Sequence, residues 1–141
     1  MDLSTQSRGV ALVVEDNRAL RSLIAAHLAA MGFEVFEAVD YYSAVAHLEE
    51  CTPRLVCATL ELPNESGYAL CEYLRGPRGL AGTAILVMSE QAFPANMAQA
   101  EEVGANAFLE KPFTMSRFVE YVRAVLQSDS VSQPNLRRLR L

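Results

Sequence analysis

The sequence predicts an α/β domain built on a parallel β-sheet, and three observations lead to that prediction. Five short apolar segments alternate with five segments of helical periodicity along the 141 residues. Several of the apolar segments are continuous runs rich in Val, Ile and Leu, which is typical of strands buried on both faces. Because parallel neighbours need crossover connections, the alternation indicates a sheet covered by helices on both sides.

The first half of the chain contains two of the predicted strand–helix pairs. The first strand is Val10–Val14, a continuous apolar run that ends in two acidic residues. Asn17 is a favourable N-cap for the amphipathic helix that follows, and Gly32 ends that helix. A second strand and a second helix are predicted over residues 33–37 and 42–50.

The second half continues the same alternation with three more strands and three more helices. A glycine-rich stretch, GPRGLAG at residues 76–82, reads as a loop by composition. The predicted strands cover residues 54–59, 83–88 and 107–109, and the predicted helices cover residues 65–75, 95–103 and 114–127.

One domain is expected over residues 8–127, with an N-terminal extension at residues 1–7 and a flexible basic tail or linker at residues 128–141. The net charge of −5 argues against nucleic acid as a partner of this domain. Three arginines of the tail would bind nucleic acid only weakly and in a salt-sensitive way. They are Arg137, Arg138 and Arg140.

Cysteine usage and hydropathy predict a cytoplasmic protein without a membrane segment. The N-terminus lacks the apolar run of a signal peptide, and no stretch reaches the ~18–20 consecutive apolar residues of a membrane span. Cys51, Cys57 and Cys71 are odd in number and lack metal-ligand spacing. We interpret them as small hydrophobic side chains in a reducing compartment.

Polar residues occupy the predicted carboxyl ends of the strands, where folds of this class place their chemistry. Glu15 and Asp16 directly follow the first strand. Two adjacent carboxylates suit Mg²⁺, which takes oxygen ligands and keeps several waters. The other interpretation is that they cap the following helix, whose dipole favours anions at its N-terminus. Both interpretations stay open at this point.

Two further strand ends carry a hydroxyl and a cation. Ser89 either donates to an anion or begins a turn. Lys111 is the only lysine in a chain with eleven arginines, and its compact ammonium suits a phosphoryl oxygen or a close carboxylate. Chance usage is the plainer explanation. The bond between Lys111 and Pro112 is a candidate cis peptide.

Four motifs follow one another along the chain: VVEDN, LPNESG, ILVMSE and GANAFLEKPF. In this order and at this spacing they resemble the receiver domains of two-component response regulators, the CheY-like proteins. The resemblance covers about residues 8–127 and implies a flavodoxin-like, doubly wound sheet of five parallel strands in the order 2-1-3-4-5. It also implies a chemistry, in which an aspartate takes a phosphoryl group from a histidine kinase with the help of Mg²⁺.

The resemblance assigns a metal-binding role to three residues by their positions in these motifs. Glu15 and Asp16 match the acidic pair that binds Mg²⁺ in the family. The main-chain carbonyl of Glu61 matches a further ligand of the same ion.

Four more positions match the family's switch and its phosphate-binding lysine. Ser89 corresponds to the switch hydroxyl, and Phe108 to the switch aromatic residue, which is commonly a tyrosine. Lys111 corresponds to the lysine that pairs with the acceptor and its phosphate, and Pro112 to the usual cis proline. Because Phe108 has no hydroxyl to bring it towards solvent, we expect it to lie inward, as in an active-like state.

Thr59 occupies the place of the family's phosphoacceptor aspartate, four residues before Pro63. A carboxylate attacks phosphorus directly, whereas a threonine hydroxyl needs a general base. With Glu15 or Asp16 as that base, the product would still be a stable ester instead of a labile acyl phosphate. We interpret Thr59 as a β-branched residue that fills a lost catalytic position and whose hydroxyl can bond a neighbouring carboxylate. The alternatives are an unusual acceptor and an engineered substitution.

Glu90 is a second departure, because the family usually has a small residue after the switch hydroxyl. Its carboxylate would narrow the site and repel an incoming anion, by ~1–4 kcal/mol at ~4 Å. With the acceptor replaced, we expect Lys111 to pair with Asp16 or Glu90. Mg²⁺ is then expected to bind weakly or not at all, and no other cofactor is expected.

These features predict a pseudo-receiver, a signalling module that binds proteins and is not an enzyme. The alternative is a functional response regulator that accepts phosphate on Thr59 or another residue. The expected protein partner binds a face made of the helix from Ala95 to Val103, the strand from Ala107 to Leu109 and the helix from Thr114 to Gln127. A homodimer is a further option. This face offers a mixed-charge set of side chains: Met97, Gln99, Glu101, Glu102, Arg117, Glu120 and Arg123.

Overall fold

The structure is a computed structural model that describes residues 8–76, 80 and 82–127. The extension predicted at residues 1–7, the tail predicted at residues 128–141 and part of the glycine-rich loop lie outside the described residues. Within the described ranges, no helix combines the length and the apolar character needed to cross a membrane.

Strands and helices alternate along the described chain as predicted. The strands are β1 (Val10–Val14), β2 (Glu34–Ala38), β3 (Leu55–Thr59), β4 (Ala84–Ser89) and β5 (Ala107–Glu110). The helices are α1 (Arg18–Ala30), α2 (Tyr41–Leu48), α3 (Gly67–Arg75), α4 (Pro94–Glu102) and α5 (Met115–Gln127).

The five strands form one parallel sheet in the order β2-β1-β3-β4-β5. This confirms the predicted doubly wound fold and its strand order. The three central strands β1, β3 and β4 are almost wholly buried, which explains their continuous apolar sequences. Because neighbouring parallel strands end at the same edge of the sheet, the ends of β1, β3 and β4 lie together.

Helices pack on both faces of the sheet and close the core. α1 contacts α5, whereas α3 contacts both α2 and α4. α1 and α5 turn stripes of apolar residues inward, and Ile24, Leu28, Phe118 and Val122 are fully buried. Burying one such side chain contributes about 1.5–3 kcal/mol to stability. α4 buries only Ala100.

Predicted boundaries differ from the observed ones by one or two residues, and α3 gives a clear reason. It begins at Gly67, because the Ser66 side chain caps it by accepting from the Ala69 main-chain N–H at 3.3 Å. A Cβ at Gly67 would lie 2.6 Å from the main-chain oxygen of Thr59. Only glycine therefore lets α3 begin so close to the end of β3.

Candidate functional site

The carboxyl ends of the central strands surround a cleft of about 380 Å³. It is lined by Glu15, Asp16, Asn17, Leu20, Glu61, Glu90, Gln91, Lys111, Pro112 and Phe113. The cleft thus brings together the predicted acidic pair, the predicted lysine and Glu90. Ser89 and Thr59, which are 0% and 1% exposed, lie beneath this surface.

Glu15 is the most tightly held carboxylate of the cleft. It ends β1, is 1% exposed, and its Oε1 accepts from Lys111 Nζ at 2.8 Å. Its Oε2 accepts from the Asn17 main-chain N–H at 2.9 Å, and Arg21 Nη1 donates to its main-chain oxygen at 2.9 Å. Both carboxylate oxygens are therefore engaged, and the residue is fixed on α1 as well as on the lysine.

The prediction that Lys111 pairs with Asp16 or Glu90 is wrong, because its partner is Glu15. Successive side chains at a strand end point to opposite sides. Glu15 consequently turns inward towards the buried base of the cleft, whereas Asp16 is exposed, as is Glu90. The lysine, whose side chain is only 14% exposed, lies within reach of the inward carboxylate.

The cleft is a poor fit for the Mg²⁺ ion that the family implies. Mg²⁺ is bound through oxygen ligands, and the Glu15 carboxylate is already paired with the Lys111 ammonium and bonded to the Asn17 main-chain N–H. Among the described residues, no group of three or more His, Cys, Asp or Glu side chains is arranged to hold a metal ion. The other oxygen donors that line the cleft are the exposed carboxylates of Asp16 and Glu90, the Oε1 atom of Glu61 and the main-chain carbonyl of Glu61.

Thr59 ends β3 beneath the cleft and faces the neighbouring strand. It pairs with Met88 in the sheet, and its Oγ1 donates to the Met88 main-chain oxygen at 3.2 Å. The expected bond to a carboxylate is thus replaced by one to a carbonyl, since the buried hydroxyl lies between β3 and β4. A carbonyl oxygen does not remove a proton at neutral pH, so this contact does not activate the hydroxyl as a nucleophile.

Ser89, the predicted switch hydroxyl, is bonded on both sides. Its Oγ donates to Glu61 Oε2 at 2.6 Å and accepts from the Gln91 main-chain N–H at 2.9 Å. The first of these distances is typical of a short charge-assisted O–H···O⁻ bond. The Glu61 carboxylate also contributes to the raised pKa of the nearby Tyr68 phenol, although burial is the larger cause.

No motif indicated that the side chain of Glu61 would belong to the site. The family resemblance assigned a role only to the main-chain carbonyl of this residue. The register of β3 and β4 places Thr59 opposite Met88. Glu61, just after β3, therefore lies close to Ser89, the last residue of β4. A carboxylate two positions after Thr59 and a hydroxyl one position after Met88 were the signal available in the sequence.

Two expectations about the switch region are confirmed. Phe108 is 1% exposed and lies inward on β5. It pairs with Val87 of β4, which is two residues before Ser89. The side chains of Phe108 and Ser89 therefore point to the same face of the sheet. The peptide bond between Lys111 and Pro112 is cis.

The predicted partner face is formed by α4, β5 and α5, with β5 in contact with both helices. Met97 and Arg117 are half-buried on it, and the Arg117 guanidinium lies 5.5 Å from the centre of the Tyr121 ring. The other charged and polar members of the predicted set are exposed: Gln99, Glu101, Glu102, Glu120 and Arg123.

Comparison with known proteins agrees with this fold. The response regulator receiver domain family matches residues 11–123. The DNA-binding dual master transcriptional regulator RpaA of Synechocystis sp. is 28% identical over 123 residues, which are 86% of this chain and 51% of RpaA. Protein PilG of Pseudomonas aeruginosa is 23% identical over 127 residues, which are 89% of this chain and 94% of PilG. The chemotaxis response regulator CheY4 of Vibrio cholerae superposes with a TM-score of 0.78 at 23% identity, covering 82% of this chain and 97% of CheY4.

The chain therefore belongs to the response regulator receiver domain family. It spans about half the length of several curated relatives that it matches, RpaA among them.

Proposed function

We propose that this receiver domain signals through protein contacts without phosphorylation of an aspartate. The observation that carries the proposal is Thr59, a buried threonine at the end of β3 whose hydroxyl is bonded to a main-chain carbonyl. At this position the family has a carboxylate that is ionised at neutral pH and attacks phosphorus directly. Threonine offers a hydroxyl that needs a base.

The surroundings of Thr59 support the same conclusion. Lys111, the cation that would meet a phosphoryl oxygen, already pairs with Glu15 at 2.8 Å. Asp16, Glu61 and Glu90 add negative charge along the cleft that an anionic donor would enter. The domain is therefore not an enzyme for its own phosphorylation, and Mg²⁺ binds it weakly.

The output of such a module is a protein contact. The face of α4, β5 and α5 carries both signs of charge around half-buried Met97 and Arg117, a combination that suits selective protein binding. A kinase, an effector or a second copy of the chain would bind there. The cytoplasm, with its reduced thiols, is the expected compartment.

The test is intact mass spectrometry after incubation with acetyl phosphate and Mg²⁺. The native chain should gain no phosphoryl group, whereas Thr59→Asp should gain one that hydroxylamine removes, because hydroxylamine cleaves acyl phosphates. Thr59→Val is the matched control and should behave like the native chain.

A Mg²⁺-dependent gain of one phosphoryl group by the native chain would contradict the proposal and support a functional phosphate-accepting regulator. If Thr59→Val abolished that gain, Thr59 would be the acceptor. If the gain persisted, the acceptor would be another residue.

A further inference from the structure

The structure assigns an additional role to Glu61: its carboxylate is an internal ligand of the Ser89 hydroxyl and occupies the position where this hydroxyl would otherwise meet an external anion. The inference rests on the proposed function in one respect, since it explains what engages the switch when no phosphoryl group arrives. It concerns the side chain of Glu61 and not the main-chain carbonyl that the family uses.

The first step is the geometry of the Ser89 hydroxyl. A hydroxyl has one proton to donate, and Ser89 gives it to Glu61 Oε2 at 2.6 Å. Its oxygen accepts from the Gln91 main-chain N–H at 2.9 Å. The three groups therefore form one directed chain of hydrogen bonds, and any anion that used the Ser89 proton would have to displace Glu61.

Burial of Ser89 makes its hydrogen bond to Glu61 costly to lose. Ser89 is 0% exposed, whereas Glu61 reaches it from an exposed position on the loop after β3. Losing the carboxylate would leave a buried hydroxyl without its acceptor, which carries a free-energy cost. The contact thus holds the beginning of the β4–α4 loop, where Gln91 lies, against the end of β3.

The contact between Glu61 and Ser89 is connected to the buried face of the sheet through β4. Ser89 and Val87 lie on one face of β4, and Val87 pairs with the buried Phe108 of β5. Glu61 therefore keeps the hydroxyl in place on the same face as the inward ring. We infer that the domain holds one switch position by its own carboxylate, with no signal required.

Amide hydrogen exchange of Gln91, measured by NMR, tests the contact in the native background. Glu61→Ala should speed this exchange by about tenfold or more, because Ser89 is freed to turn away and the amide loses its acceptor. Glu61→Gln keeps an acceptor oxygen and should stay close to the native rate. Glu90→Ala removes another carboxylate of the same cleft and should leave the rate unchanged.

Beryllofluoride, a phosphoryl mimic, tests the competition in a Thr59→Asp background. Adding Glu61→Ala should tighten beryllofluoride binding about tenfold more than adding Glu90→Ala. Both substitutions remove one negative charge, so equal tightening would mean that Glu61 acts by charge alone and would overturn the inference.

An unchanged Gln91 exchange rate in Glu61→Ala would overturn it as well. These outcomes do not depend on whether the native chain accepts phosphate. Failure of the inference is therefore distinguishable from failure of the proposed function.

Discussion

Two cationic side chains lie at opposite edges of the sheet, and their hydrogen-bond acceptors differ. Lys111, at the carboxyl edge, donates to the ionised side chain of Glu15. Arg75, at the amino edge, donates to main-chain carbonyls of Leu80, Thr83 and Gly104 at 2.8 to 3.2 Å, and to the side-chain carbonyl of Asn106 at 3.0 Å. Burial lowers the pKa of Arg75 from its ordinary value.

This difference indicates a structural role for Arg75, whereas Lys111 belongs to the cleft. The acceptors around Arg75 are neutral, belong to the segments that lead into β4 and β5, and need a donor whatever the function. Gly104 shows how closely they fit, since a Cβ there would lie 2.6 Å from Arg75 Cγ and its φ is +101°. Lys111 and Glu15, in contrast, neutralise each other's charge and are in principle removable together.

The largest effect is expected from Arg75→Ala, which would remove the guanidinium donor from the main-chain oxygens of Thr83 and Gly104. It would also remove one of the two donors to the oxygens of Leu80 and Asn106. We expect the free energy of unfolding to fall by about 2–4 kcal/mol, measured by urea denaturation. Arg123→Ala, at an exposed position of α5, is the control and should change stability by about 0.5 kcal/mol or less. Equal effects of the two substitutions would contradict the structural role of Arg75.

Lys111→Met should cost less, about 1–3 kcal/mol, because Glu15 keeps the Asn17 N–H when the ammonium is lost. We expect the combination of Glu15→Gln with Lys111→Met to recover most of the lost free energy of unfolding. A double-mutant cycle measured by urea denaturation gives the coupling. Purely additive losses would mean that the lysine is not held by Glu15.

Thr59→Val should have a smaller effect, about 1 kcal/mol or less, in the same denaturation experiment. Valine keeps the β-branched shape and loses only the hydrogen bond to the Met88 carbonyl. A loss as large as that of Arg75→Ala would show that the hydroxyl has a structural role that this contact does not explain.

The smallest effect concerns an acidic group that contacts neither of these two cations. The N-cap Asp40 of α2 has its pKa held below the usual range, first by the Ser43 main-chain N–H and then by the Ser43 hydroxyl. Because the folded pKa is the lower one, this contribution is present above the ordinary aspartate pKa of about 3.9 and is lost as the pH falls through the folded value. Asp40→Asn should flatten the stability profile below about pH 4. An unchanged profile would contradict the assignment.

The fold was predictable because each of its signals is local. Continuous apolar runs define the central strands, and Asn17 and Gly32 mark the ends of α1 in the sequence itself. The cis bond before Pro112 and the inward Phe108 followed from the family resemblance. The motifs also located the cleft, because strand ends of a parallel sheet converge at one edge.

The pairings inside the cleft were not predictable in the same way. Glu15 and Asp16 are adjacent in the sequence, and only the direction of each side chain at the end of β1 decides which one meets Lys111. The bond between Glu61 and Ser89 depends on the register of β3 against β4, which joins residues 28 apart. Such contacts are long-range, and no pattern within one strand specifies them.

We propose that the cleft's own carboxylates, and no phosphoryl group, engage Lys111 and the Ser89 hydroxyl. The decisive measurement is ¹⁹F NMR of the unaltered chain with beryllofluoride and Mg²⁺. We expect only the resonances of the free fluoride species. A protein-bound resonance that disappears when Mg²⁺ is removed would contradict it.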